Sequence, residues 1–242
     1  KGAPRNEPPA TARPNAAVTE PATGDLAYGA FQRGYYLTAF AVATKRVEEH
    51  NDPAAMTLLA VLYGNGYGIA KDDVKAAEWY KIAAERGDRE AIFGLAMFRI
   101  AGRGGPKDPE EAARLFAAAA KLGHAAAAYN LGLLYLEGVR FPQDFARGAE
   151  LFRSAANAGS PEAQYALASL YKEGRGVPKD PVQATRWLAA AALADHLDAQ
   201  VEYAIALHNG IGIAKDEATA TALLRKAARR GAPLAQNRLA RI

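Results

Sequence analysis

AQYALASLYKEGRGVPKDPVQATRWLAAAA (Ala163–Ala192) holds, in one stretch, every signal that the rest of the chain repeats. Leu167, Leu170 and Tyr171 fall at helical spacing and give the first segment one apolar face. Gly174 and Gly176 end that segment, since glycine accepts the left-handed backbone of a helix C-terminus. Asp180 is an N-cap for a second helix, and Pro181 occupies its first turn, where a missing N–H costs nothing. Ala184, Trp187, Leu188 and Ala191 then supply the buried face of that second helix. The stretch is a helix pair.

Moving outward, the same signals return every 36 residues without an insertion or deletion. Ala55, Ala91, Ala127, Ala163, Ala199 and Ala235 keep the step, as do Gly66, Gly102, Gly138, Gly174 and Gly210. So do the N-cap positions Asp72, Asp108, Asp144, Asp180 and Asp216. Gly87, Gly123, Gly159 and Gly231 close each second helix, with Asp195 at the one remaining place. The first helix of the first repeat is expected over Ala55–Tyr63, and the buried face of the second over Ala76, Trp79, Tyr80 and Ala83. One such pair cannot bury its apolar face alone, so neighbours must stack into a superhelix. The predicted fold is an all-α, right-handed α/α solenoid.

The repeat pattern LGxLYxxG followed by GVxxDxxKAxxWYxxAA, seen as LAVLYGNGYGIAKDDVKAAEWYKIAA (Leu59–Ala84) and LGLLYLEGVRFPQDFARGAELFRSAA (Leu131–Ala156), resembles the Sel1-like repeat, a relative of the tetratricopeptide repeat. Five repeats of 36 residues cover 53–232, and residues 233–242 read as a terminal capping helix. Residues 25–52, with AYGAFQRGYYLTAFAVATKRVEEHN, resemble a tetratricopeptide-type pair joined by a short connection at Gly34. Arg99 departs from the aromatic of Tyr63, Tyr135 and Tyr171, and Arg140-Phe141 from the loop's Gly-Val. The family's cysteine-rich branch, for which penicillin binding has been proposed, is stapled by disulfides. This chain has no cysteine.

Residues 1–24 contain five prolines, many Ala and Thr, and Val18 as the one large apolar residue. Such a segment does not bury enough surface to offset the entropy of ordering it, and it reads as a flexible tail. It is the kind of sequence left behind by a cleaved secretory signal peptide, or else a linker. The first reading places the protein in the periplasm or another exported compartment; the second leaves the cytoplasm open. No run of 18 apolar residues is present, so no membrane-spanning helix is expected. Of the formal charge of +4, the last 18 residues hold +6 through Arg225, Lys226, Arg229, Arg230, Arg238 and Arg241, leaving −2 for the remainder. That basic end is a candidate dock for an acidic partner, or a charged solubilising cap.

Chemistry is sparse. The absence of cysteine excludes a disulfide framework, a thiol nucleophile and a thiolate metal site. His124 and His196 share one phase of the repeat but lie two repeats apart, too far to ligate one metal, and read as polar turn residues. Ser154, Ser160 and Ser169 sit in no nucleophile elbow. Gly-x-Gly pairs such as Gly66–Gly68 follow helices and lack the lysine of a phosphate loop. Glu48-Glu49 and Glu110-Glu111 read as solvated. The reading is non-enzymatic, with no catalytic residue, cofactor or metal.

What the resemblance implies is a scaffold or adaptor. In tetratricopeptide-type solenoids the first helix of each pair lines a concave groove. The positions carried over by phase include Phe93, Met97, Ile100, Tyr129, Leu133, Leu136 and Tyr165, an apolar stripe expected to hold a protein or peptide, not a nucleic acid. The alternative is a receptor for a small envelope ligand, lipid or peptidoglycan fragment, with a penicillin-hydrolysing enzyme third. Removing residues 1–24 is expected to leave the melting temperature unchanged, because termini of this composition pack against nothing. A fall of several degrees in a thermal melt would contradict this.

Overall fold

A computed structural model describes residues 25–138 and 142–240. The tail at 1–24, the Arg140-Phe141 loop and Arg241 lie outside the described residues. Those described form thirteen helices and no strand. α1 (Leu26–Gln32) and α2 (Tyr36–His50) make an opening pair. Ten helices of 13 residues each follow: α3 (Pro53–Asn65), α4 (Asp73–Glu85), α5 (Arg89–Ala101), α6 (Pro109–Lys121) and α7 (Ala125–Glu137), then α8 (Phe145–Asn157), α9 (Pro161–Glu173), α10 (Pro181–Leu193), α11 (Leu197–Asn209) and α12 (Glu217–Arg229). A short α13 (Pro233–Leu239) ends the stack. Each helix packs on the next in sequence, and α3 also touches α1 and α5. This is an all-α repeat solenoid.

The helix ends follow from the periodic residues. Asp72, Asp108, Asp144, Asp180 and Asp216 each accept backbone N–H bonds at the start of an even-numbered helix. Gly66, Gly102, Gly138, Gly174 and Gly210 adopt the left-handed conformation at the end of an odd-numbered one. The odd helices run longer than the Ala55–Tyr63 expectation because Asp52 caps α3 before Pro53. The second glycine of each loop answers a different demand. A Cβ on Gly104, Gly176 or Gly212 would collide with the backbone of Asp73, Phe145 or Pro181, at the start of the preceding even helix. The loop needs glycine there because it presses on its neighbour.

Arg103 in the same loop fastens that contact. It donates to Asp73 at 2.6 Å and to the Gly64 carbonyl, and its guanidinium lies 4.2 Å from the Phe98 ring centre. The pairing holds the Asp73 carboxyl below the usual carboxylate range. Asp195, standing where the other repeats have glycine, tolerates a φ of 66° and gathers Lys226 at 2.7 Å and Gln200 at 2.9 Å.

The core is a series of clusters, each spanning consecutive helices. Ala83, Ala119, Ala155, Ala191 and Ala227 are fully buried, as are Ala91, Ala127, Ala163, Ala199 and Ala235, so backbones approach closely at every seam. Tyr80, Phe116 and Phe152 fill the space beside them. Trp79, expected in the buried face, is half-buried, and Ala77 is buried instead. An indole is too large for an alanine-lined seam, so it lies over the boundary and packs on the clusters to either side. Trp187 does the same between the clusters of α7–α9 and α9–α11.

Trp187→Ala is therefore expected to cost about 3 kcal/mol and to accelerate amide exchange from α9 through α11, because neighbouring repeats stabilise one another. Acceleration confined to α10 in a hydrogen-exchange map would contradict that coupling.

Candidate functional site

The stripe residues lie on three successive odd-numbered helices. Phe93, Met97 and Ile100 are one turn apart on α5, Tyr129, Leu133 and Leu136 occupy the same phases on α7, and Tyr165 belongs to α9. Their exposure differs. Met97 is 40% exposed; the other six are half-buried. The Phe93 ring leans on Phe116 with centroids 5.9 Å apart, and Tyr129 leans on Phe152 at 5.4 Å. Ile100 packs on the Phe116 core, Leu133 and Leu136 on the Phe152 core. Large apolar residues at these phases thus serve the seams as well as the surface.

The histidines correct the reading of them as turn residues. His124 and His196 are N-caps: their Nδ1 atoms accept the backbone N–H of Ala127 at 3.1 Å and of Ala199 at 3.2 Å. Each ring also stacks on the stripe aromatic of the preceding odd-numbered helix, His124 on Phe93 at 4.3 Å and His196 on Tyr165 at 4.7 Å. An imidazole is flat enough to cap one helix while covering a ring on another. With Nδ1 accepting, Nε2 of His124 donates to Glu90 at 3.0 Å.

Tyr165 leads to a second feature. Its hydroxyl donates to Glu202 Oε1 at 2.9 Å, and burial with this carboxylate pushes the phenol's pKa up. Glu202 Oε2 accepts from Lys172 at 3.0 Å. Both charged residues stand at the edge of a crevice of about 300 Å³ between α9, α10 and α11. Its walls are mainly Pro181, Ala184, Leu188, Ile205, Ala206 and Ile211, and the Thr185 hydroxyl beside them donates to the Ile211 carbonyl at 2.8 Å. Sequence reasoning missed this crevice, although its signal was present: Leu188 stands where Tyr80, Phe116 and Phe152 put rings.

Two further expectations are revised. Glu111 is not simply solvated: it accepts from Arg99 at 2.6 Å, so the arginine that departs from the repeat's aromatic is half of an ion pair. In the basic end, Lys226 and Arg230 converge on Asp195 at 2.7 and 3.7 Å, which takes two cations of that cluster into an internal clamp. A hollow of about 560 Å³ beside α1, α3 and α5 has an acidic rim, but Asp25 is held by Arg46, Asp88 by Thr57 and Glu90 by His124. Among the described residues no group of three or more His, Asp or Glu is disposed to hold a metal ion.

The family model for the Sel1 repeat matches residues 53–88, 89–124, 125–160, 161–196 and 197–231. The chain belongs to the Sel1 repeat family. A Sel1 repeat protein from Oxalobacter formigenes is similar in structure, with a TM-score of 0.79 and 29% identity over 86% of this chain and 85% of that one. So is c5321, described as a protective antigen present in uropathogenic Escherichia coli strains, at a TM-score of 0.78 and 26% identity, covering 88% of this chain and 48% of the other. PilF of Pseudomonas aeruginosa, at 22% identity, a TM-score of 0.60, and 90% and 95% coverage, shares the fold. No curated protein sequence matches significantly.

Because the cap and the ring stack share one imidazole, His124→Ala is expected to cost about 1 kcal/mol or more. His124→Asn, which can still accept the Ala127 N–H, should recover part of that loss. Equal destabilisation of the two variants in denaturant titrations would show that the cap contributes nothing.

Proposed function

We propose that this solenoid holds a protein or peptide partner along the face carried by α5, α7 and α9. Sel1 repeat proteins generally act as protein-interaction scaffolds, and the repeats of this chain point to protein partners. The observation that supports this most directly is Met97. It stands 40% exposed between Phe93 and Ile100 on one helix face, while its equivalent on the next odd helix, Leu133, is half-buried. An exposed thioether among half-exposed large apolar side chains gives a partner an adaptable contact. Phe93 and Tyr129 reinforce the face but are committed to Phe116 and Phe152 beneath it.

A receptor for a small ligand would need several convergent polar groups inside a pocket. The crevice between α9, α10 and α11 has its charges at the edge, and two of them neutralise each other.

Met97 is the informative site because its side chain can be changed without emptying the core. Met97→Glu is expected to keep the wild-type melting temperature and to reduce retention of a captured partner by about tenfold or more, as loss of one interface anchor does. The assay is affinity capture on the immobilised solenoid with quantitative mass spectrometry, wild type against variant. Equal retention by the two folded proteins removes this face from consideration.

A further inference from the structure

Consecutive full repeats meet at four junctions, and the same two repeat positions can be compared at each. At the first, Tyr80 meets Phe98 edge-on, with ring centres 5.2 Å apart. At the second, Phe116 shares a core with Leu134; at the third, Phe152 shares one with Leu170. At the fourth the pair becomes Leu188 and Ala206. A ring is missing on one side and a large side chain on the other, and both residues line the crevice of about 300 Å³. The backbone frame repeats while the filling does not. The space corresponds to the one that the Tyr80 and Phe98 rings fill at the first junction, since Glu202 and Ala206 on its wall hold the phases of Gly94 and Phe98, which the Tyr80 ring meets.

The crevice opens to solvent, and its apolar lining atoms lack packing partners on that side. Here the walls are almost wholly apolar, and Thr185, the polar group among them, spends its hydroxyl on Ile211. Charge lies at the rim. Lys172 is paired with Glu202, whereas exposed Lys179 has no hydrogen bond or ion pair among the described residues, so the mouth carries one uncompensated positive charge.

We propose that this crevice is an anchor hole for one large apolar side chain, aromatic by preference, on a partner protein segment that places a carboxylate beside it. The side chain takes the position of the missing ring against Leu188 and Ala206. The carboxylate lies on Lys179. This rests on the scaffold reading and adds a second contact point, two to three helix pairs along the stack from Met97, where the proposed face ends at α9. Burying one such side chain is worth about 10- to 100-fold in affinity.

The test is fluorescence polarisation with a fluorescein-labelled octapeptide carrying Phe followed by Asp in a Gly/Ser background. Leu188→Phe and Ala206→Leu each refill the hole with the residue that Phe152 or Leu170 presents one junction earlier. Both variants are expected to melt at or above the wild-type temperature and to bind the peptide at least about tenfold more weakly. Replacing the peptide's Phe by Ala should match that loss. Lys179→Ala, or Asn for the peptide's Asp, should weaken binding about threefold, as an exposed ion pair does. Filled variants that bind like wild type overturn the proposal, as does a wild-type protein that ignores the peptide. A fall of several degrees in both filled variants shows that the space is not that of a ring, and overturns it too. Dodecanoate binding in place of the peptide, lost on filling, would instead assign the crevice to an anionic amphiphile. A captured protein lost with Met97→Glu but kept by both filled variants would leave the scaffold reading intact and end this one.

Discussion

The seam between the second helix of one repeat and the first helix of the next carries this structure. Each seam is floored by fully buried alanines, such as Ala83 with Ala91 or Ala155 with Ala163, which let two helix backbones come close. Close approach leaves limited room for large side chains, and Tyr80, Phe116 and Phe152 take most of it, with Phe98, Leu134 and Leu170 in the same clusters. No single pair of helices can bury that ring by itself. Stability is consequently shared between neighbours, and spacing within each helix is fixed: a residue inserted inside a helix would rotate the rest of that helix's apolar face out of its seam.

The loops obey the same constraint from the outside. Glycines at 104, 176 and 212 exist because the chain passes directly over the first turn of the preceding even helix, where a side chain would strike backbone. Arg103 turns that proximity into a clamp on Asp73 and Gly64, and Arg175 covers the Phe145 ring at 4.1 Å in the equivalent place two repeats later. Where the glycine closing a second helix becomes Asp195, the cost of a left-handed aspartate is offset by the cations and amide that converge on it. Departures from the repeat are thus compensated one by one, by Glu111 for Arg99 and by Lys226 and Arg230 for Asp195.

The departure at Leu188 and Ala206 differs from these, since no side chain among the described residues fills the space they vacate. A repeat frame makes such an exception conspicuous: the same position can be read at each junction, and at three of the four it carries a ring, Tyr80, Phe116 and Phe152. With Met97 on the odd-helix face, it gives the solenoid two apolar features that the described residues leave incompletely covered. Both lie among the five Sel1 repeats, outside the opening pair and the terminal helix.

Periodicity, capping residues and glycine placement were enough to determine helix number, helix order and the stacking of the five repeats, because each depends on residues close in sequence. The phases of Phe93, Met97, Ile100, Tyr129, Leu133, Leu136 and Tyr165 were legible for the same reason: position on a helix face follows from spacing alone. Their exposure was not. Whether Phe93 faces solvent or lies under an imidazole depends on His124, 31 residues away and joined to it only through the seam. The histidine ring stacks, the Arg99–Glu111 pair and the Asp195 clamp share that dependence, since each unites residues from different helices. The crevice lies between the two cases. Its small residues are plain in the alignment of the repeats, but only the packed neighbours decide that the volume they leave stays open.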